Sequence, residues 1–173
     1  MKLIYFISLL FLSLFSFTQA LIPNPPQLSA TSYLLLDAKT LKIISEDNSN
    51  QSTGLASITK IMTAYVVADQ ISKGFLKNDA LVKISEKCWR TEGSRMFVKE
   101  GTEVSVEDLM LGIIVQSGND ASCAIAEHIA GSEYDFSLLM NEYAKDMKLE
   151  ETNFMNPTGL PDVNHYSTAK DIA

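Results

Sequence analysis

The stretch that most limits what this chain can become is residues 55–71. Lys60 and Asp69 are its only charges, and most of its other side chains are apolar or small. Its length favours a helix over a strand, and apolar residues fall on every face of that helix. Such a helix must be enclosed, with a sheet on one side and helices on the other. Lys73-Gly74 ends it.

The flanking sequence supplies both kinds of cover. Tyr33-Leu-Leu-Leu36 and the run 41–44 are short apolar segments around Asp37-Ala-Lys-Thr40, the pattern of a β-hairpin. Residues 46–54 read as polar loop. Residues 80–84 and Met96-Phe-Val98 read as further short strands. Ser105-Val-Glu-Asp108 matches a capping box, so a helix is expected from Val106 to about Val115. Gln116-Ser-Gly-Asn119 breaks it, and Asn119 or Asp120 is placed to cap a second helix ending at Gly131. Phe136, Leu139, Met140, Tyr143, Ala144 and Met147 mark one face of a third helix. Asn156-Pro-Thr-Gly159 is a turn, and a further helix is expected at Ser167. Strands, a central helix and then a helical block make an α+β fold.

Residues 1–20 stand apart. Lys2 is followed by an apolar run over residues 3–17, and Thr18-Gln19-Ala20 offers small residues for cleavage. This is the order of a secretory signal peptide, too short for a membrane span. Export places residues 21–173 in an oxidising compartment. The two cysteines, Cys88 and Cys123, are expected as separate buried thiols. With 46% hydrophobic and 20% charged residues the composition is globular, and the net charge of −7 without a basic run argues against nucleic acid.

Ser57-Ile-Thr-Lys60 carries the sharpest chemistry. A spacing of three puts both side chains on one helix face, one turn apart. Ser57 lies near the positive end of the helix dipole. Lys60 is set in apolar surroundings, where desolvation favours the neutral amine. A neutral amine beside a hydroxyl is a base beside a nucleophile. A Ser cap followed by an outward-pointing Lys gives the same text, and Ser167-Thr-Ala-Lys170 is read that way. Ser117-Gly-Asn119, between two helices, offers a hydroxyl and an amide to a cleft, though these are also ordinary turn residues. His128 and His165 lie in no recognisable motif and are expected to be structural. Two histidines without clustered carboxylates do not suit a zinc peptidase.

Taken in order, Ala56-Ser-Ile-Thr-Lys-Ile-Met-Thr63, Met96-Phe-Val-Lys-Glu-Gly101, Gln116-Ser-Gly-Asn-Asp-Ala121, Asn153-Phe-Met-Asn-Pro-Thr-Gly-Leu160 and Tyr166-Ser-Thr-Ala-Lys-Asp171 resemble the low-molecular-weight penicillin-binding D-alanyl-D-alanine carboxypeptidases. The resemblance spans about residues 30–173. It implies a β-lactamase/transpeptidase-like fold, an antiparallel sheet flanked by helices plus an all-helical lobe. It implies that Ser57 attacks the carbonyl between the terminal D-alanines of a peptidoglycan stem peptide, that Lys60 takes its proton, that Ser117 passes a proton to the leaving D-alanine, and that Asn119 binds a substrate amide. β-Lactams would acylate the same serine, no cofactor or metal is needed, and the protein would act in the periplasm or on the outer face of the cytoplasmic membrane. Membrane association through a C-terminal segment is a further implication. Two departures stand out: Leu55 replaces a usual proline, and the Lys-[Thr/Ser]-Gly strand motif is not among the 173 residues. Residues 21–173 are therefore read as an incomplete catalytic domain lacking its C-terminal strands.

Two other functions share the Ser57 and Lys60 chemistry. A β-lactamase would release the penicilloyl ester quickly, whereas a β-lactam sensor would release it very slowly. Ser-Gly-Asn rather than Ser-Asp-Asn leans towards the carboxypeptidase.

Overall fold

The computed structural model describes residues 26–173. The expected signal peptide lies outside the described residues. Strands β1 (Tyr33–Leu36) and β2 (Ile43–Asp47) pair antiparallel. The Asp37 carboxylate accepts N–H bonds from Lys39 and Thr40 at 3.1 and 2.7 Å, and Leu41 takes a φ of 56° in the turn. The second strand therefore starts at Ile43 rather than at Leu41.

A 3-10 turn, Ala56–Ile58, leads into helix α1 (Thr59–Ser72). Thr59, Lys60, Met62, Thr63, Val66 and Val67 face inward. The expected enclosure on all sides does not hold. Ile58, Ile61 and Tyr65 are 49%, 66% and 48% exposed, because the helices that pack on α1 reach only its other side.

Those helices are α3 (Val106–Gln116), α4 (Asn119–Ala130) and α5 (Glu133–Asp146). Before them come β3 (Leu81–Lys83), the short helix α2 (Glu86–Trp89) and β4 (Glu103–Ser105), with Val82 opposite Val104 in an antiparallel pair. The chain closes with α6 (Ala169–Ile172). Among the described residues no helix is long and apolar enough to cross a membrane. Ser105 caps α3 as its pattern requires, its Oγ accepting from the Asp108 N–H at 3.1 Å. Gly131, at a φ of 82°, ends α4.

Four further expectations are corrected. Met96-Phe-Val98 is not a strand: its three backbone N–H groups all donate to the Asp120 carboxylate, at 3.0, 2.8 and 3.2 Å. Those donors are unavailable to a ladder, and Phe97 sits at a φ of 65°. The strand in this region is β4 instead. Secondly, neither Asn119 nor Asp120 caps α4. Gly118 is the cap residue and makes no side-chain bond, since both polar side chains turn to the 92–98 loop. Thirdly, the last helix is capped by Thr168, whose Oγ1 accepts from the Asp171 N–H at 3.1 Å. Ser167 is buried, bridges to Thr53 and shares a hydroxyl bond with Thr152.

The fourth correction concerns the cysteines. Cys88 on α2 and Cys123 on α4 form a disulfide across a Cα separation of 5.3 Å, with both residues fully buried. Nothing in the intervening sequence announces this; it depends on α2 packing against α4.

Two apolar clusters hold the helical block. One gathers Val67, Val82, Ile84, Val106, Leu109, Ile113 and Ile125. The other gathers Leu55, Met62, Val66, Phe136, Met140 and Phe154. Helix α1 lies between them, with Val66 on one side and Val67 on the other. The second cluster, through Leu55 and Met62, anchors the start of α1, and the first, through Val67, anchors its second half.

Candidate active site

Ser57 lies on the exposed 3-10 turn and Lys60 in the first turn of α1, only 5% exposed. Lys60 Nζ is 3.3 Å from Ser57 Oγ and donates to the Thr158 carbonyl at 2.7 Å. Burial pushes the Lys60 amine down from the usual 10.5 to about 8. An accessible hydroxyl thus stands beside a buried amine that loses its proton near pH 8. The outward-pointing lysine of the competing reading is not what forms.

The second half of this arrangement comes from the turn at Asn156-Pro-Thr-Gly159. Asn156 Oδ1 accepts from the Thr158 and Gly159 N–H groups at 3.1 and 2.7 Å. Thr63 Oγ1 donates to the Pro157 carbonyl at 2.7 Å. Gly159 has a φ of 84°, and a Cβ placed there would come within 1.8 Å of the Ala56 carbonyl oxygen. Only glycine lets this turn lie against the residue before Ser57. Ala56 itself holds a left-handed φ of 44°, a conformation that costs energy in a non-glycine residue and that packing must sustain.

His165 is buried, as a structural residue should be, but it is not remote. Its ring lies 2.7 Å from Thr59 Oγ1, and its Nδ1 accepts from the Met155 N–H at 3.1 Å. Its ring also packs edge-on against Phe154. Burial lowers its pKa, and Asp162 partly opposes that. A cleft of about 460 Å³ opens here, lined by Gly54, Leu55, Ala56, Gly159, Leu160 and His165 among others.

Ser117 and Asn119 sit at the junction of α3 and α4. Ser117 ends α3 in the left-handed conformation at a φ of 54°, and its Oγ is buried with no hydrogen-bond partner among the described residues. A hydroxyl left in this state costs about 1–3 kcal/mol. Asn119 is 5% exposed, with its Nδ2 donating to the Glu92 carbonyl at 2.6 Å and its N–H donating to Ser94 O at 2.7 Å. Ser57 and Lys60 are therefore in direct contact, while Ser117 and Asn119 belong to a turn built against the 92–98 loop. Among the described residues the cluster Cys88, Cys123 and Glu127 could hold a metal by spacing, but both sulfurs are committed to the disulfide.

Thr59, Thr158, Gly159 and His165 escaped the sequence reading as parts of the site. The glycine in Asn-Pro-Thr-Gly signals only a turn. That the turn packs on Ala56 is a long-range fact no local pattern encodes.

The α+β architecture is that of DD-peptidases and transpeptidases. Solved structures of that class superpose on this chain. A D-alanyl-D-alanine carboxypeptidase DacD from Francisella tularensis matches with a TM-score of 0.84 and 44% identity, covering 87% of this chain and 37% of that one. The Streptomyces K15 DD-transpeptidase, in an S216A mutant, matches at 0.79 with 26% identity, covering 86% and 60%. Residues 19–173 match the family of serine peptidases described as D-alanyl-D-alanine carboxypeptidase, and the chain belongs to that family. DacA of Haemophilus influenzae is 43% identical over 153 residues, 87% of this chain and 39% of its own length. DacF of Bacillus subtilis is 42% identical over 144 residues, 83% of this chain and 37% of its own. The chain spans about two fifths of the length of these relatives.

Proposed function

We propose that this chain carries the acylation machinery of a serine D-alanyl-D-alanine carboxypeptidase that removes the terminal D-alanine of peptidoglycan stem peptides. The observation that carries this reading is Lys60, buried, 3.3 Å from an exposed Ser57 hydroxyl and poised near pH 8. Ser57 Oγ attacks the carbonyl between the two D-alanines as Lys60 takes its proton. The Ser57 N–H supplies one half of an oxyanion hole. Ser117 relays a proton to the departing D-alanine amine; its partnerless buried hydroxyl supports that role. Asn119 binds a substrate amide, its side chain held in place by the bond from Nδ2 to the Glu92 carbonyl. Water then releases the acyl group. β-Lactams acylate the same serine.

The same reading covers the rest of the chain. Residues 1–20 direct export, and the protein works in the periplasm or on the outer face of the cytoplasmic membrane. A C-terminal segment beyond residue 173 would provide membrane association. Residues 21–173 are one part of a catalytic domain. Its remaining strands, one bearing Lys-[Thr/Ser]-Gly, cover the outward apolar side chains of β1, β2 and α1, among them Leu35, Ile44 and Ile61.

Labelling of the full-length gene product with fluorescent penicillin tests the assignment. Wild type and Ser167→Ala take the label and Ser57→Ala does not. Labelling of Ser57→Ala at the wild-type level overturns it. Fast turnover of a D-Ala-D-Ala peptide with slow release of the penicilloyl ester separates the carboxypeptidase from a lactamase or a sensor.

A further inference from the structure

We infer that His165, in its neutral form, is a positioning residue for acylation, setting the start of α1 through Thr59 and the Thr158 carbonyl through the loop that carries both. The inference rests on the Ser57 and Lys60 reading above and goes beyond it by adding a second protonation requirement.

The tautomer follows from the two bonds. Met155 N–H donates to Nδ1, so Nδ1 keeps its lone pair and the ring proton resides on Nε2. Nε2–H then donates to Thr59 Oγ1 at 2.7 Å. A cationic ring carries a proton on both nitrogens, and Nδ1–H would then face the Met155 N–H at 3.1 Å, donor against donor. Protonation therefore breaks one of the two bonds that the ring makes.

Both bonds lead to the reacting groups. Thr59 lies two residues after Ser57 and one before Lys60. Its Oγ1 also lies against Gly159, within 3.0 Å of where a Cβ would stand. Met155 and His165 are the two ends of a loop closed further by the Asn153–Tyr166 bridge. That loop carries the Thr158 carbonyl that holds Lys60 Nζ. Among the described residues, the charged group that acts on the ring is Asp162 from its own loop; α1 presents the Thr59 hydroxyl to it, and residues 54–56 carry no charge. Burial disfavours the ring's charged form, and Asp162 moderates this. The sign is then fixed. With the folded pKa below 6.5, the neutral ring and its clamp are intact at pH 7 and are lost as pH falls through the folded value.

The consequence is a double acid limb. Between pH 8 and the His165 pKa, log kcat/KM for acylation falls with a slope of one, as Lys60 takes up its proton. Below the His165 pKa the slope steepens to two. His165→Gln, which cannot titrate, holds a slope of one across the whole acid limb, and its rate near pH 8 is roughly ten- to a hundredfold below wild type, the cost of a misplaced reacting group. The experiment uses the full-length gene product, with stopped-flow acylation by a chromogenic penicillin and Ser57→Ala alongside. In case His165→Gln fails to fold, Thr59→Ser and Thr59→Val give a second reading. The serine variant keeps the hydroxyl and stays near wild type, whereas the valine variant drops at least about tenfold. A wild-type slope of one throughout, or equal rates for both Thr59 variants, overturns the inference while leaving Ser57 in place. Acylation of Ser57→Ala overturns both readings.

Discussion

At the residue scale the decisive group is Lys60. A lysine amine held near pH 8 instead of 10.5 is one that the folded state keeps poorly solvated. The unfolded chain binds more protons between about 8 and 10.5, so stability rises with pH across that window, and the cost of the buried cation is fully present at pH 7. Lys60→Met removes that cost. In the full-length product it should gain on the order of 1–3 kcal/mol in urea unfolding at pH 7 and almost nothing at pH 10.5, since lowering a pKa by one costs the charged form about 1.4 kcal/mol. Acylation should vanish in the same variant. In Lys60→Arg, which keeps the charge and cannot give up its proton, acylation should fall at least about a hundredfold. A Lys60→Met protein no more stable than wild type at pH 7 would show that the lysine is not strained by its setting. This pair was legible in the sequence because i and i+3 on a helix are neighbours whatever the rest of the chain does. His165 was not, because its partner Thr59 is 106 residues away.

At the element scale the turn between α3 and α4 depends on a loop that the sequence pattern assigned to a sheet. The Asp120 carboxylate accepts from the N–H groups of Met96, Phe97, Val98 and Ala121. Asn119 reaches Glu92 in the same loop. The Cys88–Cys123 disulfide ties α2, just before this loop, to α4, just after the turn. Closing a loop of 35 residues is worth about 4 kcal/mol in the chain-entropy account. Reduction, or the double substitution Cys88→Ala with Cys123→Ala, should lower the unfolding free energy of the full-length product by about 2–4 kcal/mol, read from urea curves with and without reductant. Identical curves would mean that the bond does not form in solution. Asp120→Ala acts in the same place by leaving four backbone donors unpaired, and it should slow acylation along with the loss of stability.

At the scale of the whole molecule the helical block is well packed and the first hairpin is not. Leu35, Ile43 and Ile44 are exposed on β1 and β2, and Ile58 on the 3-10 turn and Ile61 and Tyr65 on α1 are exposed too. A two-stranded sheet whose better-covered strand, β1, is only half-buried is marginal in water, and exposed apolar side chains in this number promote association. Residues 21–173 expressed alone should therefore bind the dye ANS strongly, run as aggregates in size exclusion and fail to take fluorescent penicillin. A monomeric product that unfolds cooperatively and labels at Ser57 would refute the proposed cover by further strands.

The sequence by itself determined the elements whose signals are local. Ser105 marked the start of α3 and Gly131 the end of α4, because caps and left-handed glycines act within one turn of the backbone. The spacing of Phe136, Met140 and Ala144 fixed the buried face of α5. Helix spacing together with the apolar run around Lys60 singled out the Ser57 and Lys60 pair, since Ser167 and Lys170 share the spacing but not the setting. The tertiary structure decided everything that needed two distant segments to meet. It joined Cys88 to Cys123, turned Met96-Phe-Val98 from a ladder to a carboxylate, and left one face of α1 open. It also brought Thr158, Gly159 and His165 to the base of the helix that bears the serine. Backbone donors and buried side chains satisfy whichever partner packing supplies, and sequence spacing carries no record of that partner when it lies a hundred residues on.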